Sequence, residues 1–133
     1  MKEKVVIITG GGKGIGRGVA EAFGEEGANL VITGRHQESL DQAKQELENE
    51  FGIQVLAIQA DGAVESDVKK VIEQTVQAFG HIDVLINNAM ASRSGKLLIE
   101  HSKEDFALSV DTGLYATFFY MREAHPYLKE SQG

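Results

Sequence analysis

The sequence contains no cysteine, which excludes disulfide bonds and thiolate metal sites. It has one proline, Pro126, in 133 residues, and no Pro-rich, repetitive or low-complexity stretch that would mark a linker. Long apolar runs are also missing. Met1-Lys2-Glu3-Lys4 leads into four consecutive apolar residues, Val5 to Ile8, too few for a signal-peptide core or a membrane span. Basic residues are in short supply, 13 Lys and Arg against 20 Asp and Glu, and the formal net charge of −7 argues against a nucleic-acid-binding surface. His36, His81, His101 and His125 lack the i, i+4 spacing of a helical zinc site, so no metal site is expected. Ser92 and Ser94 lie outside any Gly-x-Ser-x-Gly pattern, which argues against a hydrolase nucleophile. With 42% apolar residues, the expectation is one cytoplasmic globular domain over residues 1–133.

Glycine, by contrast, is plentiful, and it is concentrated where it carries information. Val5-Val6-Ile7-Ile8-Thr9 runs into Gly10-Gly11-Gly12-Lys13-Gly14-Ile15-Gly16, and the next residues have helical apolar spacing. Strand, tight turn and helix N-terminus in that order place unpaired N–H groups and the positive end of a helix dipole together, a setting that favours phosphate. Glycines there allow positive φ and close backbone approach to an anion. Such turns also occur without any ligand, but the order of elements favours a nucleotide.

The rest of the chain alternates between two periodicities. Val5 to Ile8 is an uninterrupted β-branched run, the pattern of a parallel strand covered on both faces. Ile15, Val19, Ala20, Ala22 and Phe23 form a helical stripe that Gly27 would stop. Asn29 to Thr33 reads as a second strand, and Leu40, Ala43, Leu47 and Phe51 as a second helix with Gly52 after it. Ile53 to Ile58 reads as the third strand. Ser66 is the expected N-cap of a helix carrying Val68, Val71, Ile72, Val76 and Phe79, ended by Gly80. Ile82 to Ile86 is the fourth strand, followed by Asn87-Asn88-Ala89-Met90 and an aperiodic loop from Ala91 to Glu100. Ser102 and Asp105 fit a capping box, and Leu114, Phe118, Met121, Ala124 and Leu128 continue a helical stripe in which Pro126 should cause a kink or an early end.

This β-α-β-α-β-α-β-α order, with crossovers too long for hairpins, specifies an α/β doubly wound parallel sheet of the Rossmann type with strand order 3-2-1-4. Strands 1 and 4 are then neighbours whose outgoing connections leave in opposite directions. Ligands bind at such a switch point, and both Gly10 to Gly16 and Asn87 to Met90 would lie there.

The glycine spacing narrows the class of nucleotide site. A P-loop requires Ser or Thr after its lysine, and Lys13 is followed by Gly14. The G-x-G-x-x-G pattern fails as well, since Gly12-x-Gly14 leads to Arg17 and Gly14-x-Gly16 leads to Val19. What stands is Thr-Gly-x-x-x-Gly-x-Gly, with Gly10, Gly14 and Gly16. This pattern resembles the short-chain dehydrogenase/reductase family. Asp61-Gly62 after the third strand is similar to that family's adenine-contacting Asp-Val pair, and Asn87-Asn88-Ala89-Met90 to its Asn-Asn-Ala-Gly motif.

The resemblance implies that Gly10, Gly12, Lys13 and Ile15 contact the pyrophosphate and adenosine ribose, and that Gly14 and Gly16 permit close approach. It places Asp61 and Gly62 beside the adenine and Asn88 and Ala89 along the ribose. Met90 departs from the pattern by standing where the family has glycine. An NAD-preferring site carries a carboxylate at the end of the second strand, about 20 residues beyond the loop. Here that position is Gly34, the next residue is Arg35, and the first carboxylate is Glu38. Lys13 and Arg35 would flank a 2′-phosphate, so NADP(H) is expected over NAD(H).

The family transfers hydride between a nicotinamide and a small carbonyl or alcohol substrate, using a serine and a Tyr-x-x-x-Lys pair. Tyr115, Tyr120 and Tyr127 are followed at that offset by Phe119, Ala124 and Ser131, so the pair does not occur and no catalytic residue is assigned. Gly113 falls where the family has a catalytic asparagine, with Asp111 as the nearest polar alternative. The chain is therefore expected to be the cofactor-binding half of such an enzyme, truncated before the fifth strand and inactive alone. The alternative is a catalytically inactive nucleotide-binding module with a binding or interaction role. Homo-oligomers through the open fourth-strand edge or the Leu114 to Leu128 helix are expected in either case.

Overall fold

A computed structural model describes all 133 residues. Four strands, β1 (Val5–Thr9), β2 (Asn29–Gly34), β3 (Val55–Gln59) and β4 (Val84–Ile86), form one parallel sheet in the order β3-β2-β1-β4. Helices α1 (Gly14–Glu25), α2 (Gln37–Phe51) and α3 (Glu65–Phe79) connect them, and α4 (Lys103–Ser109) and α5 (Ala116–Ser131) follow.

The uninterrupted apolar character of β1 is explained by its position. It pairs with β2 on one side and β4 on the other, and every one of its residues is buried. Successive side chains point to opposite faces. Val5 and Ile7 join Val31, Val68, Val71 and Tyr120 beneath α3 and α5. Val6 and Ile8 join Ala20, Leu30, Ile32, Leu40 and Leu47 beneath α1 and α2. Gly52 and Gly80 cap α2 and α3 in the left-handed conformation, with φ of +65° and +83°, and each donates its N–H back into the last turn.

Several expectations are corrected. Ile15 is 82% exposed: the buried face of α1 is Gly16, Ala20 and Gly24, and Ile15 is turned roughly 100° away from Gly16 around the helix. Ser66 does not cap α3. The helix starts two residues earlier, with Val64 as N-cap, because the Asp61–Val64 turn feeds directly into it. β3 begins at Val55 instead of Ile53, and Ile53 packs against the core without joining the ladder. β4 is shortened to Val84–Ile86, although Ile82 is fully buried and the Asp83 N–H still donates to the Val5 carbonyl at 3.0 Å.

The largest departure concerns the final helical region. The Ser102–Asp105 capping box is present, with the Asp105 N–H donating to Ser102 Oγ at 3.1 Å and the Ser102 N–H to Asp105 Oδ2 at 3.2 Å. The helix it opens then passes through a π turn at Val110–Tyr115 before α5 begins. Leu114, Phe118 and Met121 face outward, at 68%, 53% and 56% exposure, while Ala124 and Leu128 of the same expected stripe pack in the core with Ala116 and Tyr120, because Phe118 and Ala124 lie roughly 240° apart around one helix. α5 also continues past Pro126 to Ser131 and does not end early.

Candidate functional site

The carboxyl ends of β1 and β4 are joined through one buried hydroxyl. Thr9 Oγ1 accepts the backbone N–H groups of Asn88 and Ala89, each at 3.0 Å, and donates to the Ile86 carbonyl at 3.4 Å. Asn88 answers with its side chain: Nδ2 donates to the carbonyls of Thr9 at 3.1 Å and Gly10 at 3.3 Å. The glycine loop is thereby fastened to the Asn87–Met90 segment. Gly10 has φ +67°, and its N–H donates to the Thr33 carbonyl at 2.9 Å, which ties the loop to β2 as well. Gly16 sits where a methyl group would overlap the Gly10 carbonyl and the Asn88 amide, so only glycine lets α1 approach this closely.

A cleft of about 240 Å³ opens at this junction. Gly10 and Lys13 of the loop line it, with Arg35 and His36 beyond β2 and Asp61 and Gly62 beyond β3. Asn88, Ala89, Met90 and Ala91 supply the side beyond β4, and Thr112, Ala116 and Tyr120 lie across from the sheet. Of the residues expected at a nucleotide, Gly10, Lys13, Arg35, Asp61, Gly62, Asn88 and Ala89 are thus brought together. Gly12, Gly14, Ile15 and Gly16 are not in the lining. Gly12 backs onto Leu40, Gly14 starts α1 at φ +57°, Gly16 lies behind Asn88, and Ile15 projects into solvent. Asp111 is exposed and outside the cleft.

Charge in the cleft is unevenly placed. Arg17, the next cation after Lys13, is held by Glu21 at 3.0 Å and Glu46 at 2.8 Å. Lys13 and Arg35 have no carboxylate partner. The Arg35 backbone is fixed by Gln59, whose Nε2 donates to its carbonyl at 2.9 Å. Asp61 is oriented by its own turn, its Oδ1 accepting the Ala63 N–H and its N–H donating to Asp67 Oδ2, both at 2.9 Å. Gly62 faces Ala116 so closely that an added methyl would stand 2.7 Å from the Ala116 methyl. Burial, with the charges of Asp67 and Asp61 adding to it, pushes the Tyr120 phenol up to about 12, so it stays protonated and serves as wall. No cluster of His, Cys, Asp or Glu able to hold a metal ion occurs.

Sequence reasoning passed over Thr9 and Thr112 as site-building residues. A threonine closing a buried β-branched run was the available signal for Thr9, since a hydroxyl there needs a partner. Thr112 had no such signal. Its Oγ1 accepts the Ala91 N–H at 2.8 Å and donates to the Leu108 carbonyl at 2.6 Å, pinning the segment after β4 to the π turn.

A parallel sheet of order 3-2-1-4 with a glycine-loop cleft at its switch point defines the dinucleotide-binding class of doubly wound α/β folds. Within that class, the family model for short chain dehydrogenase matches residues 4–133, and the chain belongs to that family. It is 53% identical over 136 residues to the 12alpha-hydroxysteroid dehydrogenase of a Clostridium species, covering 98% of this chain and 52% of that protein. Among solved structures, L-sorbose reductase from Gluconobacter frateurii, complexed with NADPH and L-sorbose, superposes with a TM-score of 0.90 at 32% identity. That match covers 97% of this chain and 49% of the other. A NAD+-bound xylitol dehydrogenase superposes with a TM-score of 0.90 at 25% identity, covering 96% and 48%. The chain thus spans about half the length of the relatives it matches. No helix is long and apolar enough to cross a membrane.

Proposed function

We propose that residues 1–133 form one domain that binds NADP(H) for an oxidoreductase transferring hydride between the nicotinamide and a carbonyl or alcohol substrate. The observation that carries the cofactor choice is the pair Lys13 and Arg35: two cations without carboxylate partners, in a cleft where β2 ends at Gly34 with no carboxylate to bond a ribose hydroxyl. In this reading Gly10, Gly12, Lys13, Gly14 and the α1 N-terminus cradle the pyrophosphate, with the Ile15 backbone beside them. Gly16 allows the close approach, Arg35 takes the 2′-phosphate, Asp61 and Gly62 flank the adenine, and Asn88 and Ala89 run along the ribose. Relatives bound to NADPH and to NAD+ both exist, so the choice rests on this chain's own charges. The 53% identity to a hydroxysteroid dehydrogenase makes a hydroxysteroid the first substrate class to assay.

A second reading, a nucleotide-binding module without catalysis, is favoured by one observation: no Tyr-x-x-x-Lys occurs in these 133 residues. Titrating the purified chain with NADPH and NADH tests the cofactor claim. Tighter NADPH binding is expected, by roughly tenfold or more for a charge-assisted phosphate contact, with the preference lost in Arg35→Asp. Equal affinities in the parent chain overturn it. Hydride transfer by the chain alone would overturn the second reading.

A further inference from the structure

Two residues at the β4 end of the cleft form one packing unit. Met90 lines the cleft with 66% of its surface exposed. Gly113, in the π turn, lies against it: a methyl group at position 113 would stand 3.2 Å from Met90 Cγ and 3.3 Å from its sulfur. Gly113 does not have positive φ, so the backbone does not require glycine there. The Met90 side chain occupies the room instead. The Thr112 hydroxyl nearby is already committed, held between the Ala91 N–H and the Leu108 carbonyl. Met90, Ala91 and Ala116 give this part of the cleft apolar surface among neutral polar residues, where the Lys13–Arg35 part is cationic.

The geometry points to Met90 as a specificity-determining residue: its thioether, seated on Gly113, is an apolar wall for the nicotinamide half of the dinucleotide. This assignment rests on the NADP(H) reading above. A dinucleotide lying across the switch point has its adenosine ribose recognised beyond β2, which carries its other half toward β4. Met90 follows β4 by four residues. An unbranched, polarisable thioether adapts to a flat ring and attracts it. On this account Met90 bounds the cofactor path and does not block it.

Titration of the parent chain and of Met90→Ser with NADPH and with 2′,5′-ADP, which carries the 2′-phosphate but no nicotinamide, tests the wall. The loss of a sulfur–ring contact is expected to weaken NADPH about 3- to 10-fold, with 2′,5′-ADP affinity unchanged. Unchanged NADPH affinity, tighter NADPH binding or an equal loss for both ligands overturns the assignment. The seat is tested by Gly113→Ala, which should weaken NADPH when Met90 is present and not in the Met90→Ser background. Urea unfolding reads the same coupling without ligand. In the Met90→Ser background, Gly113→Ala should raise the folding constant roughly fivefold, the advantage of alanine over glycine in helical backbone, and with Met90 present it should raise it less. Additive effects overturn the seat. A parent chain that binds neither ligand overturns the NADP(H) reading and the wall with it; a parent that binds both and is indifferent to Met90→Ser overturns the wall alone.

Discussion

Thr9 and Asn88, 79 residues apart in sequence, hold each other by opposite ends: the Asn88 N–H donates to the Thr9 hydroxyl at 3.0 Å, and the Asn88 amide donates to the Thr9 carbonyl at 3.1 Å. This reciprocal pair joins the two strands whose connections diverge, and it sets the width of the crevice between them. Replacing Thr9 by valine keeps the shape but leaves the Asn88 and Ala89 N–H groups without their acceptor. The two bonds are partly buried, so the expected cost is about 1 kcal/mol for each N–H left unsatisfied, read as a lower urea midpoint at unchanged slope. A midpoint within error of the parent would show that the hydroxyl is dispensable.

Gly16→Ala should be as disruptive for a different reason. The added methyl meets the Gly10 carbonyl and the Asn88 amide, neither of which is a flexible side-chain end free to swing away. Overpacking of this kind costs about 1–3 kcal/mol, and relief by moving α1 would widen the phosphate cradle. NADPH affinity should fall along with the unfolding midpoint. Gly18→Ala, where nothing lies within 4 Å of the added methyl, is the control and should gain stability.

The outward stripe of α5 predicts self-association. Leu114, Phe118 and Met121 expose apolar surface, and the Arg122 guanidinium lies 5.2 Å from the centre of the Phe118 ring. Sedimentation of the parent chain should show concentration-dependent dimers, with Phe118→Glu raising the dissociation constant by roughly tenfold or more, as expected for a charge placed in an apolar contact. A parent chain that stays monomeric at high concentration contradicts this.

Asp105 gives a pH signature. The hydrogen bond from Lys96 at 2.8 Å, followed by the Ser102 N–H, holds its carboxyl down to about 2. A carboxylate with a lowered folded-state value supports the fold above its unfolded value, about 3.9, and loses that support as pH falls through the folded one. The α4 cap should therefore persist at pH 4 and fail near pH 2. Carbon-13 NMR titration of the Asp105 carboxyl reads this directly, with a midpoint near 4 counting against the lock, and Lys96→Met should move the midpoint upward.

What the sequence by itself determined is what local chemistry can express. Unbroken β-branched runs are legible as doubly covered strands, glycines after apolar stripes as helix ends, and the order of elements as a 3-2-1-4 sheet. The loop, Arg35, Asp61-Gly62 and the Asn88-Ala89 pair supply seven of the 19 residues that line the cleft, because each sits at a strand end and the topology brings strand ends together. Tertiary structure decided the remainder. The expected stripe of α5 mixed two faces of one helix, so Leu114 and Phe118 turned outward while Tyr120 entered the core beside Ala124. Ile15 lost its place in the core because α1 turns its Gly16, Ala20 and Gly24 face to the sheet. Thr9 became the hub, and Met90 found its seat on Gly113, only when distant segments met. Pairings across 20 or 80 residues are set by close packing in three dimensions, which one-dimensional spacing does not encode.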